Sequence, residues 1–215
     1  FWQGIEARGV VTAPQVPTSN QGRVTIQNNS IIEHARIGVS NTNKAIGWGA
    51  NGGIIQVSNS FFINNNTSVS FEGYSNVHGG KLYPNLSYFT DCTFLIDSNY
   101  KGKNINYPMR NMVSMHAVEG IRFAGCQFLN RCTKPINRGS GEGIHAVNSS
   151  FMVYPYCAIG PSVSLGCIYP KRPRFCGFTN GINIENSRDF GLTSSIDQAD
   201  FDSCSIGEHV FAYPN

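Results

Sequence analysis

The chain has 215 residues, of which 40% are hydrophobic, 12% aromatic and 13% charged, with a formal net charge of +3. That is enough apolar material for a core. The basic excess is too small to mark a nucleic-acid or membrane-surface binder, and no apolar run reaches the roughly 18 residues that span a bilayer. Seven cysteines without a Cys-x-x-Cys spacing and five scattered histidines give no zinc pattern, so neither a metal nor another cofactor is expected.

In chain order, Trp2-Gln3-Gly4-Ile5-Glu6 reads as an opening strand, with Trp2 laid over the start of the core. A loop with two prolines covers 12–21, and strands resume at 22–26 and 35–39. The polar run 40–51 is a corner let out, closed by Gly52-Gly53 before the strand Ile54-Ile55-Gln56-Val57. Asn64-Asn65-Asn66 makes the next corner and Ser68-Val69-Ser70-Phe71 the next side. Asparagine suits such corners because it tolerates left-handed backbone angles and bonds neighbouring backbone.

Further along, Gly120-Ile121-Arg122-Phe123-Ala124-Gly125-Cys126-Gln127-Phe128 shows the repeating unit most clearly. A small residue, any residue, then a large apolar one recurs as Ser30/Ile32, Ser60/Phe62, Cys92/Phe94, Cys126/Phe128, Ser149/Phe151, Cys176/Phe178 and Ala199/Phe201. The intervals are 30, 32, 34, 23, 27 and 23 residues. Strand-bearing repeats of that length, with loops of variable size between them, predict stacked coils. The expected fold is all-β: a right-handed parallel β-helix of about seven coils spaced about 4.8 Å apart, forming one domain over 1–215.

Several placements follow from the repeat. Phe62, Phe94, Phe128, Phe151 and Phe178 should form one internal column, with Ile32 and Phe201 at its ends. Cys92, Cys126 and Cys176 occupy its small inward position and read as buried hydrophobes. On the outward columns, carboxylates appear at the ends alone, as Glu33, Asp200 and Asp202, with no basic residue near the last two in the chain. Ile63, Leu95, Leu129 and Met152 form an apolar stripe that is expected to turn inward at a corner.

Three insertions break the coils, at 72–86, 97–111 and 152–174. The first two are expected to project side by side as one lobe. There Tyr74, Tyr83, Tyr100, Lys101, Lys103, Tyr107 and Arg110 would offer flat apolar faces beside hydrogen-bond donors, suited to a sugar or a protein partner. In the third insertion, Cys157 and Cys167 lie close enough in sequence to close a short loop if the protein is exported.

Taken together, Trp2-x-Gly4-Ile5, Gln21-Gly22-x-Val24-x-Ile26-x-Asn28, Ala35-x-Ile37-Gly38-Val39, Gly52-Gly53-Ile54-Ile55, the unit at 120–128 and Phe175-x-Gly177-Phe178-x-x-Gly181-Ile182 resemble the β-helix region of large surface and secreted proteins of Bacteroidota, exported by the type IX secretion system. The resemblance implies a right-handed β-helix, an extracellular or cell-surface location, and other domains of the same parent chain as partners. It carries no catalytic motif. The expected function is a noncatalytic, adhesin-like module, a stalk or a platform for glycan or another surface protein, with no nucleic-acid partner and no membrane insertion. The alternative is a polysaccharide lyase or glycoside hydrolase of the pectin-lyase-like type, which would need paired or calcium-binding carboxylates in a central groove.

Overall fold

Short apolar runs ended by asparagine or glycine fold as the repeat predicts, into brief strands separated by sharp corners. The computed structural model describes residues 1–42, 51–102, 109–131, 141–157, 169–187 and 192–213. A two-residue strand β1 (Ile5–Glu6) precedes a first coil of β2 (Arg23–Ile26), β3 (Ile31–Glu33) and β4 (Ile37–Ser40). The second coil holds β5 (Ile54–Ser58), β6 (Phe61–Ile63) and β7 (Thr67–Phe71), followed by a small hairpin, β8 (Val77–His78) and β9 (Lys81–Leu82). Then come β10 (Tyr88–Thr90), β11 (Thr93–Ile96) and β12 (Asn111–His116), and β13 (Ile121–Ala124), β14 (Gln127–Asn130) and β15 (Glu142–Val147). The fifth coil is β16 (Phe151–Tyr154), β17 (Arg174–Cys176) and β18 (Asn180–Ser187), and the sixth is β19 (Ser195–Ile196), β20 (Asp200–Asp202) and β21 (Ile206–Tyr213).

Each coil gives one strand to each of three parallel sheets. Sheet I runs β2-β5-β10-β13-β16-β19, sheet II β3-β6-β11-β14-β17-β20, and sheet III β1-β4-β7-β12-β15-β18-β21. This is a parallel β-solenoid. Among the described residues it has six three-strand coils, not seven, because Ser149/Phe151 and Cys176/Phe178 belong to the same coil.

In the second, third and fourth coils the I–II corner turns on a single residue with positive φ, Asn59 at 44°, Asp91 at 54° and Gly125 at 61°, and in the first on two, Asn28 at 62° and Asn29 at 60°. Asparagine and aspartate reach this region at lower cost than other side chains. The corner backbones stack, Asn59 N donating to Thr90 O at 2.9 Å and Asp91 N to Ala124 O at 2.8 Å.

Two side-chain columns run through the core, packed against sheet III residues such as Val69, Val113, Ile144 and Ile182. Sheet II contributes Ile32, Phe62, Phe94, Phe128, Phe175 and Phe201, paired in register from coil to coil. Ring centroids are 5.0, 4.7, 4.6 and 5.1 Å apart in the order Phe62, Phe94, Phe128, Phe175 and Phe201. Phe175 therefore takes the place expected of Phe151 and Phe178. Phe151 sits on sheet I opposite Ile121, and Phe178 is buried in the corner that follows β17. The second column, on sheet I, is Ile26, Val57, Phe89, Phe123, Val153 and Ile196.

Two smaller expectations change as well. Trp2 is exposed at the edge of the first coil, its indole N–H donating to Glu33 O at 2.8 Å, instead of covering the core. Ile63, Leu95 and Leu129 line up on the outer face of sheet II, between inward neighbours such as Phe94 and Ile96, and Met152 stands apart on sheet I.

Candidate functional site

The outer face of sheet III carries the densest polar constellation among the described residues. Its placement begins with a rung motif. Gly143 and Gly181 face inward, where an added Cβ would come within 2.7 Å of the Phe175 and Phe201 rings respectively. Ile144 and Ile182 are buried beside them, and the following residue points out. Across neighbouring strands that outward row reads Ser70, Ser114, His145, Asn183 and His209. Asn111, Glu142 and Asn180 flank it on one side, and His116, Val147 and Glu185 on the other.

These side chains interlock. Glu142 Oε1 accepts from Asn180 Nδ2 at 3.2 Å and from Asn183 Nδ2 at 2.8 Å, and the same Asn183 nitrogen donates to Glu185 Oε1 at 3.0 Å. The His145 ring lies between the two acids, with Nδ1 at 3.2 Å from Glu142 Oε2 and Nε2 at 3.3 Å from Glu185 Oε1, the second contact without hydrogen-bond geometry. His209 Nδ1 lies 2.8 Å from Asn183 Oδ1, and Asn111 Nδ2 lies 3.4 Å from His145 Nδ1. Sharing one amide nitrogen holds the Oε1 atoms of Glu142 and Glu185 within about 6 Å of each other. The gap between the carboxylates is filled by an imidazole and an amide.

A separate cavity of about 260 Å³ opens at a III–I corner, lined by Leu82, Tyr83, Pro84, Glu119, Gly120 and Ser150. The insertion at 72–86 makes one wall. Its stem is fastened by a parallel bridge from Tyr74 to Val118 and by buried Gln15, whose N donates to Asn76 Oδ1 at 2.9 Å and whose Oε1 accepts from Leu86 N at 2.7 Å.

The residues expected to form one binding lobe are dispersed, because the first insertion leaves a III–I corner, the second a II–III corner and the third a I–II corner. Tyr74 is 2% exposed, its hydroxyl donates to Ala13 O at 2.9 Å, and burial pushes its pKa up to about 12. Tyr100 is 0% exposed, packs against Phe1 at 5.8 Å, and its oxygen accepts from Asn66 Nδ2 at 3.0 Å. Both tyrosines are structural cover. Tyr83 is exposed at the cavity. Lys101 and Arg110 are exposed, and the Arg110 carbonyl accepts from Glu142 N at 2.8 Å, which sets Arg110 beside the sheet III face. Lys103 and Tyr107 lie outside the described residues.

Asp200 and Asp202 are not unpartnered. Stacking brings Arg174 to Asp202 at 2.6 Å and Arg172 to Asp200 at 3.7 Å, although these residues are well separated in the chain. The Arg174 bond is the main cause that holds the Asp202 carboxyl below the ordinary carboxylate value. Lys171 pairs with Asp91 in the same way. Cys157 is disulfide-bonded, and Cys167 lies outside the described residues. Cys92, Cys126, Cys176 and Cys204 are free thiols, the first two buried. Among the described residues no group of three or more His, Cys, Asp and Glu side chains is arranged to hold a metal ion. Among the described residues no helix is long and apolar enough to cross a membrane.

Compared with protein-family models, curated proteins and solved structures, the chain finds no match.

Proposed function

We propose that this chain is a right-handed parallel β-helix module of an exported, cell-surface protein, and that it is a noncatalytic platform for glycan or a protein partner. The observation that carries the reading is the interlocked polar network on sheet III, in which His145 and Asn183 lie between Glu142 and Glu185. A glycosidase needs open space between its two carboxyl groups for the scissile bond, and a water or an attacking oxygen beside it. Here His145 and Asn183 occupy that space. A face of fixed amide, imidazole and carboxylate groups is instead suited to exchanging hydrogen bonds with a polar ligand laid across it. The Cys157 disulfide agrees with an oxidising compartment. Export by the type IX route, with further domains of the parent chain as neighbours, rests on the rung motifs.

A hydrolase is the second reading, and what favours it is the close approach of Glu142 and Glu185 on the outer face of sheet III. Both are tested together by incubating the domain with neutral and acidic oligosaccharides, scoring retention on a glycan array and new reducing ends or unsaturated products. Retention without products supports the platform. Turnover abolished by Glu142→Gln or Glu185→Gln overturns it.

A further inference from the structure

Resting on the platform reading, we propose that the III–I corner cavity is a subsite for one neutral pyranose ring, stacked on Tyr83 and hydrogen-bonded by Glu119 and Ser150. A cavity of about 260 Å³ has the size of a single-ring ligand, below the range of pockets that enclose larger molecules. Its wall is presented rigidly: Tyr83 N donates to Asn76 O at 2.8 Å, and the ring stands 6.4 Å from His78 at an angle of 52°. Tyr83 remains 46% exposed, so its face is open to a ligand. Leu82 and Pro84 extend the apolar side.

The opposite wall is polar and oriented. Glu119 Oε1 accepts from the Ser75 hydroxyl at 2.7 Å, which restrains the carboxylate at the cavity. Gly120 N donates to the Ser150 carbonyl at 2.9 Å and shares its proton with Ser150 Oγ at 3.2 Å, leaving the Ser150 O–H to donate. An aromatic face, an anionic acceptor and a hydroxyl donor around one small volume match the C–H face and the hydroxyl groups of a sugar. A uronic acid would bring a second carboxylate beside Glu119 and be repelled. A quaternary ammonium would want a cage of several rings, and this wall has one.

Saturation-transfer NMR on the whole chain tests the subsite with methyl β-glucopyranoside, methyl β-galactopyranoside, methyl galactopyranosiduronate and choline. The neutral glycosides should bind, and Tyr83→Ala should weaken them about tenfold or more. Glu119→Gln, which keeps an acceptor for Ser75 but removes the charge, should bring uronate binding up toward that of the neutral sugars. Tyr169→Ala, at an 88% exposed tyrosine on another corner, should change nothing. Neutral sugars that bind Tyr83→Ala as strongly as the unmodified chain would overturn the subsite and leave the platform standing. Tighter binding of the uronate or of choline to the unmodified chain would overturn the ligand class. Absence of all binding here, with oligosaccharides still retained on the array, would again refute the subsite alone.

Discussion

Replacing Phe128 with alanine tests whether the aromatic column is the spine of the solenoid. The ring is 0% exposed and lies between Phe94 at 4.7 Å and Phe175 at 4.6 Å, with planes parallel to within 2° and 4°. Phe123 meets it edge-on at 6.0 Å from the neighbouring column. Removing it exposes no new surface into which the site can relax, because the backbones of the coils above and below are fixed by ladder hydrogen bonds. The cost is therefore that of a poorly collapsing cavity, about 3 to 5 kcal/mol. Phe201 supplies the internal control. It caps the same column with one stacked partner at 5.1 Å and is 37% exposed, so Phe201→Ala should cost roughly half as much. Urea titrations followed by far-UV circular dichroism give both values, compared where the dependence on denaturant is unchanged. If Phe128→Ala is no more destabilising than Phe201→Ala, the column does not carry the stability assigned to it.

Tyr74→Phe should cost about 1 kcal/mol in the same assay, the worth of the hydroxyl's bond to Ala13 O. Because the folded pKa of Tyr74 is raised from 10.0 to about 12, stability should decline as pH rises through that interval, and the variant should lack that part of the decline. Cys126 is pushed well above its ordinary pKa by burial first and by Cys92 second, so iodoacetamide should label it after unfolding but not in the native chain, as mass spectrometry would show. Asp202 lies below the usual 3.8, chiefly through Arg174, so its favourable contribution holds above that pH and fades as pH falls through its folded value. Arg174→Met should return the Asp202 titration, followed by carboxyl NMR, to the ordinary range.

The coil architecture was legible because an inward small residue and an inward large one recur wherever a strand starts. The same property caused the register error. A small residue two before an aromatic marks the start of sheet I strands, as in Ser87 and Phe89, as well as sheet II strands, as in Cys92 and Phe94. Ser149/Phe151 starts a sheet I strand two positions ahead of the Ser87/Phe89 register, and in the fifth coil the residue two before Phe175 is Pro173. The long insertion between β16 and β17 then made one coil look like two. The sheet III network was not legible because the small-x-large repeat fixes the register of sheet II strands, while loops of variable length separate them from sheet III. Its signal was present in Gly38-Val39-Ser40, Gly143-Ile144-His145 and Gly181-Ile182-Asn183, a glycine, a β-branched residue and then an outward polar one. Burial of Tyr74 and Tyr100 had no signature in sequence, since a tyrosine covering a loop and one presented to a ligand have the same composition around them.

The in-register stacking of equivalent strands also makes the molecule a ruler. Every residue in an outward row is one rung from its neighbour, about 4.8 Å along the axis. His145 and Asn183 are one rung apart, and Ser114 and Asn183 two. Length is thus quantised: a coil excised between matching strand positions would shorten the rod by one rung without rotating the rows that remain. Spacing between two features on the rod is set by how many coils lie between them, and is independent of how much chain each corner lets out.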